Sequence, residues 1–122
     1  MKKGVIPVNR RLNMEISFET LENTLIIYLK GELDHHWVKE AKQRIDFKLS
    51  ISLKKNIVYD LRGLTFMDSS GIGLIASGYK IAKDFSGKVY IITENEKIIK
   101  IFNMAKMDEM ATILSSFQEE VL

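Results

Sequence analysis

Cysteine is absent from this chain of 122 residues, which excludes a disulfide framework, a thiolate metal site and a cysteine nucleophile. The absence fits a reducing compartment, and a cytoplasmic location is expected. Proline occurs once, as Pro7, and histidine twice, as the adjacent His35 and His36. Long apolar runs are missing too. The best, Leu25–Leu29, falls far short of the roughly 20 residues a helix needs to span a bilayer. No apolar segment with a small-residue cleavage site opens the chain, so no secretory signal is read.

What is present supports a folded domain: 46% of residues are hydrophobic and 28% charged, enough to bury a core and unlike a disordered chain. The formal charge of +2 is unevenly placed. Residues 1–13, MKKGVIPVNRRLN, carry Lys2, Lys3, Arg10 and Arg11 and no acid, so without those four the charge passes from +2 to −2. Residues 1–13 are therefore set apart as a basic tail and a candidate for disorder, with the domain proper at 14–122. A solvated tail is the simpler reading of four scattered cations. No basic helix or aromatic-basic stripe points to nucleic acid, and neither nucleic acid nor membrane is expected as a partner.

Met14–Thr20 alternates Ile16 and Phe18 with polar neighbours, and Thr24–Leu29 is more uniformly apolar; together they predict a hairpin. Asp34 is placed to cap a helix starting near His35, whose apolar stripe is Val38, Ala41, Ile45 and Leu49, with Phe47 off the stripe. Asn56–Leu61 predicts an interior strand, with residues 60–64 looping away from it. A helix is expected from Ser70 to about Asp84, a strand over Val89–Ile92, a helix over Glu94–Ala105, and a short strand at Ala111–Leu114 before a short terminal helix. Such strand–helix alternation predicts parallel neighbours joined by helical crossovers, with the hairpin as an antiparallel edge.

The stretch FMDSSGIG, Phe66–Gly73, stands where a strand turns into a helix. A nucleophile elbow needs Gly-x-Ser-x-Gly, and neither Ser69 nor Ser70 has the preceding glycine. Both histidines precede the serines, against that hydrolase order. Gly71-Ile72-Gly73 is neither a dinucleotide fingerprint nor a Walker loop, and tight packing at the turn explains the glycines better. Asp34-His35-His36 offers metal-ligating atoms without a second cluster, so no metal is expected. Capping accounts for one of Asp68, Ser69 and Ser70 but does not call for all three. A serine in a first helical turn also faces the positive end of the helix dipole, where a phosphate is well tolerated. Capping and a modified or contacted site both stay open at this point. The following helix carries two apolar stripes, Ile72–Ile75–Tyr79–Ala82 and Leu74–Ile81–Phe85 with Gly78 between. They suit either a broad core-facing surface or one edge left free for docking.

GELDHH (Gly31–His36) together with LTFMDSSGIG (Leu64–Gly73) resembles the anti-sigma factor antagonists, the STAS domain family; GYK (Gly78–Lys80) and IFNM (Ile101–Met104) add to the likeness. The resemblance covers about residues 14–114. It implies an α/β fold with a small mixed sheet of about four to five strands and three to four helices mainly on one side. It further implies a non-enzymatic regulator that, unphosphorylated, binds an anti-sigma factor with serine kinase activity and frees the sigma factor. Phosphorylation at Ser69 would switch binding off, and a serine phosphatase would restore it. By the same likeness Asp34, Asp68, Ser69, Ser70 and Gly71 line the docking surface. ATP belongs to the kinase, so no cofactor is expected here. The double histidine inclines the reading to sporulation rather than a stress-signalling assembly. A small-ligand or nucleotide domain built on the Gly71–Gly73 turn is the alternative of another class. The tail 1–13 has no evident counterpart, and AKMDEMATIL lacks the Gly-Leu-like turn expected after the third helix.

Overall fold

A computed structural model describes residues 4–9 and 14–117. Six strands form one sheet in chain order: β1 (Gly4–Asn9), β2 (Met14–Leu21), β3 (Thr24–Leu33), β4 (Asn56–Met67), β5 (Val89–Ile92) and β6 (Thr112–Leu114). The pairs β1–β2 and β2–β3 are antiparallel, and those from β3 to β6 are parallel. Helices α1 (Val38–Ser52), α2 (Ile72–Asp84) and α3 (Glu96–Met104) make the crossovers. Because each crossover steps to the next strand in the same direction and with the same hand, all three helices fall on one face.

That face holds the main core. Ile16, Phe18, Leu25, Ile27, Ile57, Tyr59 and Ile91 meet Ala41, Ile45 and Leu49 of α1, Leu74, Ile75 and Ala82 of α2, and Ile98 and Phe102 of α3. The opposite face carries a smaller cluster of Ile26, Val58, Tyr90 and Ile92, against which Leu114 and Phe117 pack. The two-stripe question in α2 is settled by burial. Leu74, Ile75, Gly78 and Ala82 are buried, and Ile72, Tyr79 and Ile81 pack against the same core. Both stripes face inward, and only Phe85, at the far end of the helix, is left out.

Several expectations are corrected. Gly4–Asn9, set apart with the tail, pairs antiparallel with β2, as Val5 with Ser17 and Ile6 with Ile16. This adds a strand to the expected sheet. Pro7 fits there because an edge strand tolerates a residue without an N–H, and the register shifts between Pro7 and Asn9. Residues 60–64 do not loop away; β4 continues to Met67. Its pairing to β3 slips by one residue between Tyr28↔Asp60 and Lys30↔Gly63, and again between Gly31↔Leu64 and Glu32↔Phe66. These are bulges, which keep a strand going past residues that would otherwise end it. At the first, the Asp60 carboxylate accepts hydrogen bonds from Arg62 N (3.1 Å), Nε (3.0 Å) and Nη2 (2.7 Å). The short terminal helix expected after β6 falls largely outside the described residues.

Gly78 is required by close approach. A Cβ there would stand 2.3 Å from the Tyr59 hydroxyl, and that hydroxyl donates to the Leu74 carbonyl at 2.6 Å. Burial, with a smaller effect of Asp46, pushes the Tyr59 pKa upward, so the phenol remains a donor. Gly78→Ala is expected to cost about 1–3 kcal/mol by overpacking, and Tyr59→Phe about 1 kcal/mol through the lost hydrogen bond. In the double variant the hydroxyl is no longer in the way, so chemical denaturation should show a combined cost below the sum. Strict additivity would mean that the two positions do not meet.

Candidate functional site

The site arises from register. Leu33 pairs with Met67 in parallel strands, so the next residues, Asp34 and Asp68, leave the sheet side by side. GELDHH and MDSSG, 34 residues apart as measured from Asp34 to Asp68, thus become two neighbouring turns at one end of the sheet. The backbone N–H of Asp68 still donates to the Leu33 carbonyl, at 3.3 Å.

Asp34 organises the first turn. Its carbonyl accepts from Trp37 N and Val38 N, both at 3.1 Å, and its Oδ1 accepts from His36 N at 3.0 Å. Helix α1 therefore begins at Val38 and not near His35, and its N-cap, Trp37, makes no side-chain capping bond. Asp34 closes the preceding turn instead. His35 and His36 are exposed, and their rings lie with centroids 4.0 Å apart and planes at 37°. They turn toward each other rather than diverging as on a helix.

Asp68 organises the second turn and ties it to the first. Extended in backbone, it caps a single 3-10 turn, Ser69–Gly71, that runs into α2. Its Oδ1 accepts from Ser70 N at 2.9 Å and from the Ser70 hydroxyl. Its Oδ2 accepts from His35 N at 3.2 Å, with His35 Nδ1 at 3.7 Å. The Ser70 hydroxyl above all, helped by the backbone N–H groups of Ser70 and His35, holds the Asp68 pKa below the usual carboxylate range; partial burial opposes this.

The two serines, inseparable as letters, differ in space. Ser70 is half-buried and its hydroxyl is engaged by Asp68, whereas Ser69 is exposed. Among the described residues the Ser69 hydroxyl makes no hydrogen bond. Capping thus explains Asp68 and occupies Ser70, and leaves Ser69 over. It stands at the start of a helical run, where unpaired N–H groups and the dipole favour added negative charge.

Gly71, expected on the docking surface, is buried: a Cβ there would meet the Met67 side chain at 2.9 Å and Leu33 at 3.2 Å. Its role is to let the turn settle onto the strand ends, so it does not face outward to cradle a phosphate. Gly73 is exposed with nothing within 4 Å of a built Cβ, so tight packing explains Gly71 and not Gly73. Sequence reasoning missed a neighbouring apolar surface. Phe66 is 47% and Met104 76% exposed, and both border one groove of about 350 Å³ beside this turn. An apolar residue two before Asp68 was the available signal.

Comparison with known proteins bears on the family and the fold. Residues 15–120 match the STAS domain family. The anti-sigma F factor antagonist of Paenibacillus polymyxa is 30% identical over 102 residues, covering 84% of this chain and 87% of the relative. Among solved structures, the anti-sigma factor antagonist SpoIIAA in its unphosphorylated form superposes with a TM-score of 0.66 at 25% identity, covering 86% of this chain and 92% of that one. The Bacillus cell fate determinant SpoIIAA in its phosphorylated form gives 0.64 at 25% identity, covering 86% and 94%.

Because the Asp68 pKa is depressed on folding, its ion contributes stability that is present above the ordinary value of 3.8 and lost as pH falls through the lower folded value. Ser70→Ala should raise the Asp68 titration midpoint toward 3.8 and shrink this acid-side loss. Carboxyl NMR titration with denaturation below about pH 4 checks both. An unmoved midpoint would show that the hydroxyl does not hold the carboxylate.

Proposed function

The chain belongs to the STAS domain family of anti-sigma factor antagonists, and we propose that it is a phosphorylation-gated member acting in sporulation. In its unmodified form it binds an anti-sigma factor that is also a serine kinase, and so releases the sigma factor. That kinase transfers a phosphate from ATP to Ser69, and a serine phosphatase removes it. The chain itself supplies no catalysis, and its setting is the cytoplasm.

The observation that carries this reading is the division of labour between the serines. Ser69 offers an exposed, unengaged hydroxyl, and Ser70 is committed to Asp68. Phosphorylation adds about −1.5 to −2 charge and three acceptor oxygens. At Ser69 that charge meets the positive end of the helical run, so the fold accommodates it. To a partner seated on the same turn it presents a new dianion beside the Asp68 carboxylate, and both must be desolvated for contact. A change small for the host is therefore large for the complex. Asp34 and Asp68, on adjoining turns, and Ser70 between Asp68 and α2 complete the contact surface. The 30% identity to an anti-sigma F factor antagonist supports sporulation as the setting.

Incubated with ATP and the anti-sigma factor of the same genome, the wild-type chain should take up one phosphate. Ser69→Ala should abolish this uptake and Ser70→Ala retain it, as read by intact mass. Ser69→Asp should weaken binding of that anti-sigma factor at least about tenfold, because a second carboxylate beside Asp68 must then be desolvated on contact. Labelling lost only in Ser70→Ala would move the acceptor to the other serine. Equal binding by wild type and Ser69→Asp would remove charge as the gate.

A further inference from the structure

The groove beside the Ser69 turn has a structural cause. β4 runs to Met67, but its pairing with β5 stops at Asp60↔Ile92. Among the described residues, 61–67 therefore project beyond β5 with no strand on that side, and α3 lies along the space. The groove of about 350 Å³ is bordered by Phe66 and Met67 from the strand and by Ile98, Ile101 and Met104 from the helix. Ile98 is buried and Ile101 half-buried, so they form its floor. Phe66 and Met104, 47% and 76% exposed, stand free at its sides. A large apolar side chain left in water is unremarkable alone, but two sharing one concavity mark a contact surface.

Charge selects the occupant. Lys97 and Lys100 also border the groove and are exposed; among the described residues neither makes an ion pair. Beyond the Ser69 turn, on the side of β3, stand the carboxylates of Asp34 and Asp68. The surface thus runs from acidic around Ser69 to an apolar groove flanked by Lys97 and Lys100, with Glu96 at the start of α3 outside the groove lining. Phe66 precedes Asp68 by two residues, about 7 Å of strand. A partner of ordinary size buries about 800 Å² per side, a patch nearly 30 Å across, so one seated on Ser69 reaches the groove.

Resting on the reading of Ser69 as the gate, we infer that the groove is the anchoring half of the same interface: the anti-sigma factor places there an apolar side chain flanked by carboxylates. The apolar anchor supplies affinity, and the carboxylates opposite Lys97 and Lys100 set orientation and speed encounter. The gate and the anchor are then separate groups on one footprint. The Ser69 phosphate acts on a partner whose position the groove has fixed.

The test is titration calorimetry and stopped-flow association with the purified anti-sigma factor of the same genome. Met104→Glu should raise Kd at least about tenfold. Lys97→Glu combined with Lys100→Glu should do the same, chiefly by slowing association and flattening its salt dependence. Phe47→Glu, at a residue 67% exposed on α1, should leave binding unchanged. Met104 and both lysines are exposed, so thermal melts of these variants should match wild type. Groove variants that bind within about twofold of wild type would overturn the anchor while leaving the Ser69 gate standing. An equal loss in Phe47→Glu would also overturn it, since the effect would not belong to the groove. A wild-type chain that does not bind the anti-sigma factor would overturn the gate and the anchor together.

Discussion

One carboxylate holds two chain reversals together at the end of the sheet. Asp68 gives one oxygen to its own turn, through Ser70, and the other to the neighbouring turn, through the His35 backbone. Strand pairing brings the GELDHH and MDSSG segments to the same end of the sheet, and that division of the carboxylate joins their two turns into one surface. Such charge-assisted bonds are stronger than neutral ones, and the lowered Asp68 pKa reflects the same interactions. The arrangement also decides which hydroxyl is available. Ser70 is spent on the catch, so chemistry from outside meets Ser69 first. The proposed acceptor role of Ser69 thus rests on a neighbour's hydrogen bond rather than on any property of the serine itself.

The catch in turn depends on strand length. β3 and β4 leave the sheet level with each other only because two bulges let β4 gain two residues on its partner between Asp60 and Phe66. The fork from Arg62 onto Asp60 closes the first of them. The same extension carries β4 past the end of β5 and opens the groove along α3. Placement of the serine turn and exposure of Phe66 are therefore two results of one irregular strand. This is why an acidic patch and an apolar-basic groove adjoin in this molecule.

Much of this was legible in the sequence. The hairpin, the alternation of strands and helices, and the inward stripe of α1 follow from periodicity. The two motifs were visible as motifs, though not as neighbours. What was not legible depended on partners distant in sequence. Asp60-Leu61-Arg62-Gly63 has the composition of a turn, and only pairing with β3 and the Arg62 fork make it strand. Residues 1–13 read as a solvated cationic tail because Lys2, Lys3, Arg10 and Arg11 flank Gly4–Asn9, and an edge strand needs little beyond a free neighbour to pair with. The second stripe of α2 could have faced water or core, and periodicity within one helix cannot choose. Gly71 and Gly73 look alike as letters, yet one lies against Met67 and the other against solvent. The two serines are the sharpest case, since the bond that separates them forms after the turn has closed.

The contact between Tyr59 and α2 bears on how the surface answers a partner. Tyr59, in the first half of β4, donates to the Leu74 carbonyl, and the bare Cα of Gly78 lets the phenol sit against the helix. The first turns of α2 are thereby pinned to the central strand just behind the serine turn. A load applied at the helix tip passes into the sheet instead of tilting the helix. Under the proposed gate, charge added at Ser69 would therefore act on whatever touches the outside of the turn rather than on the domain behind it.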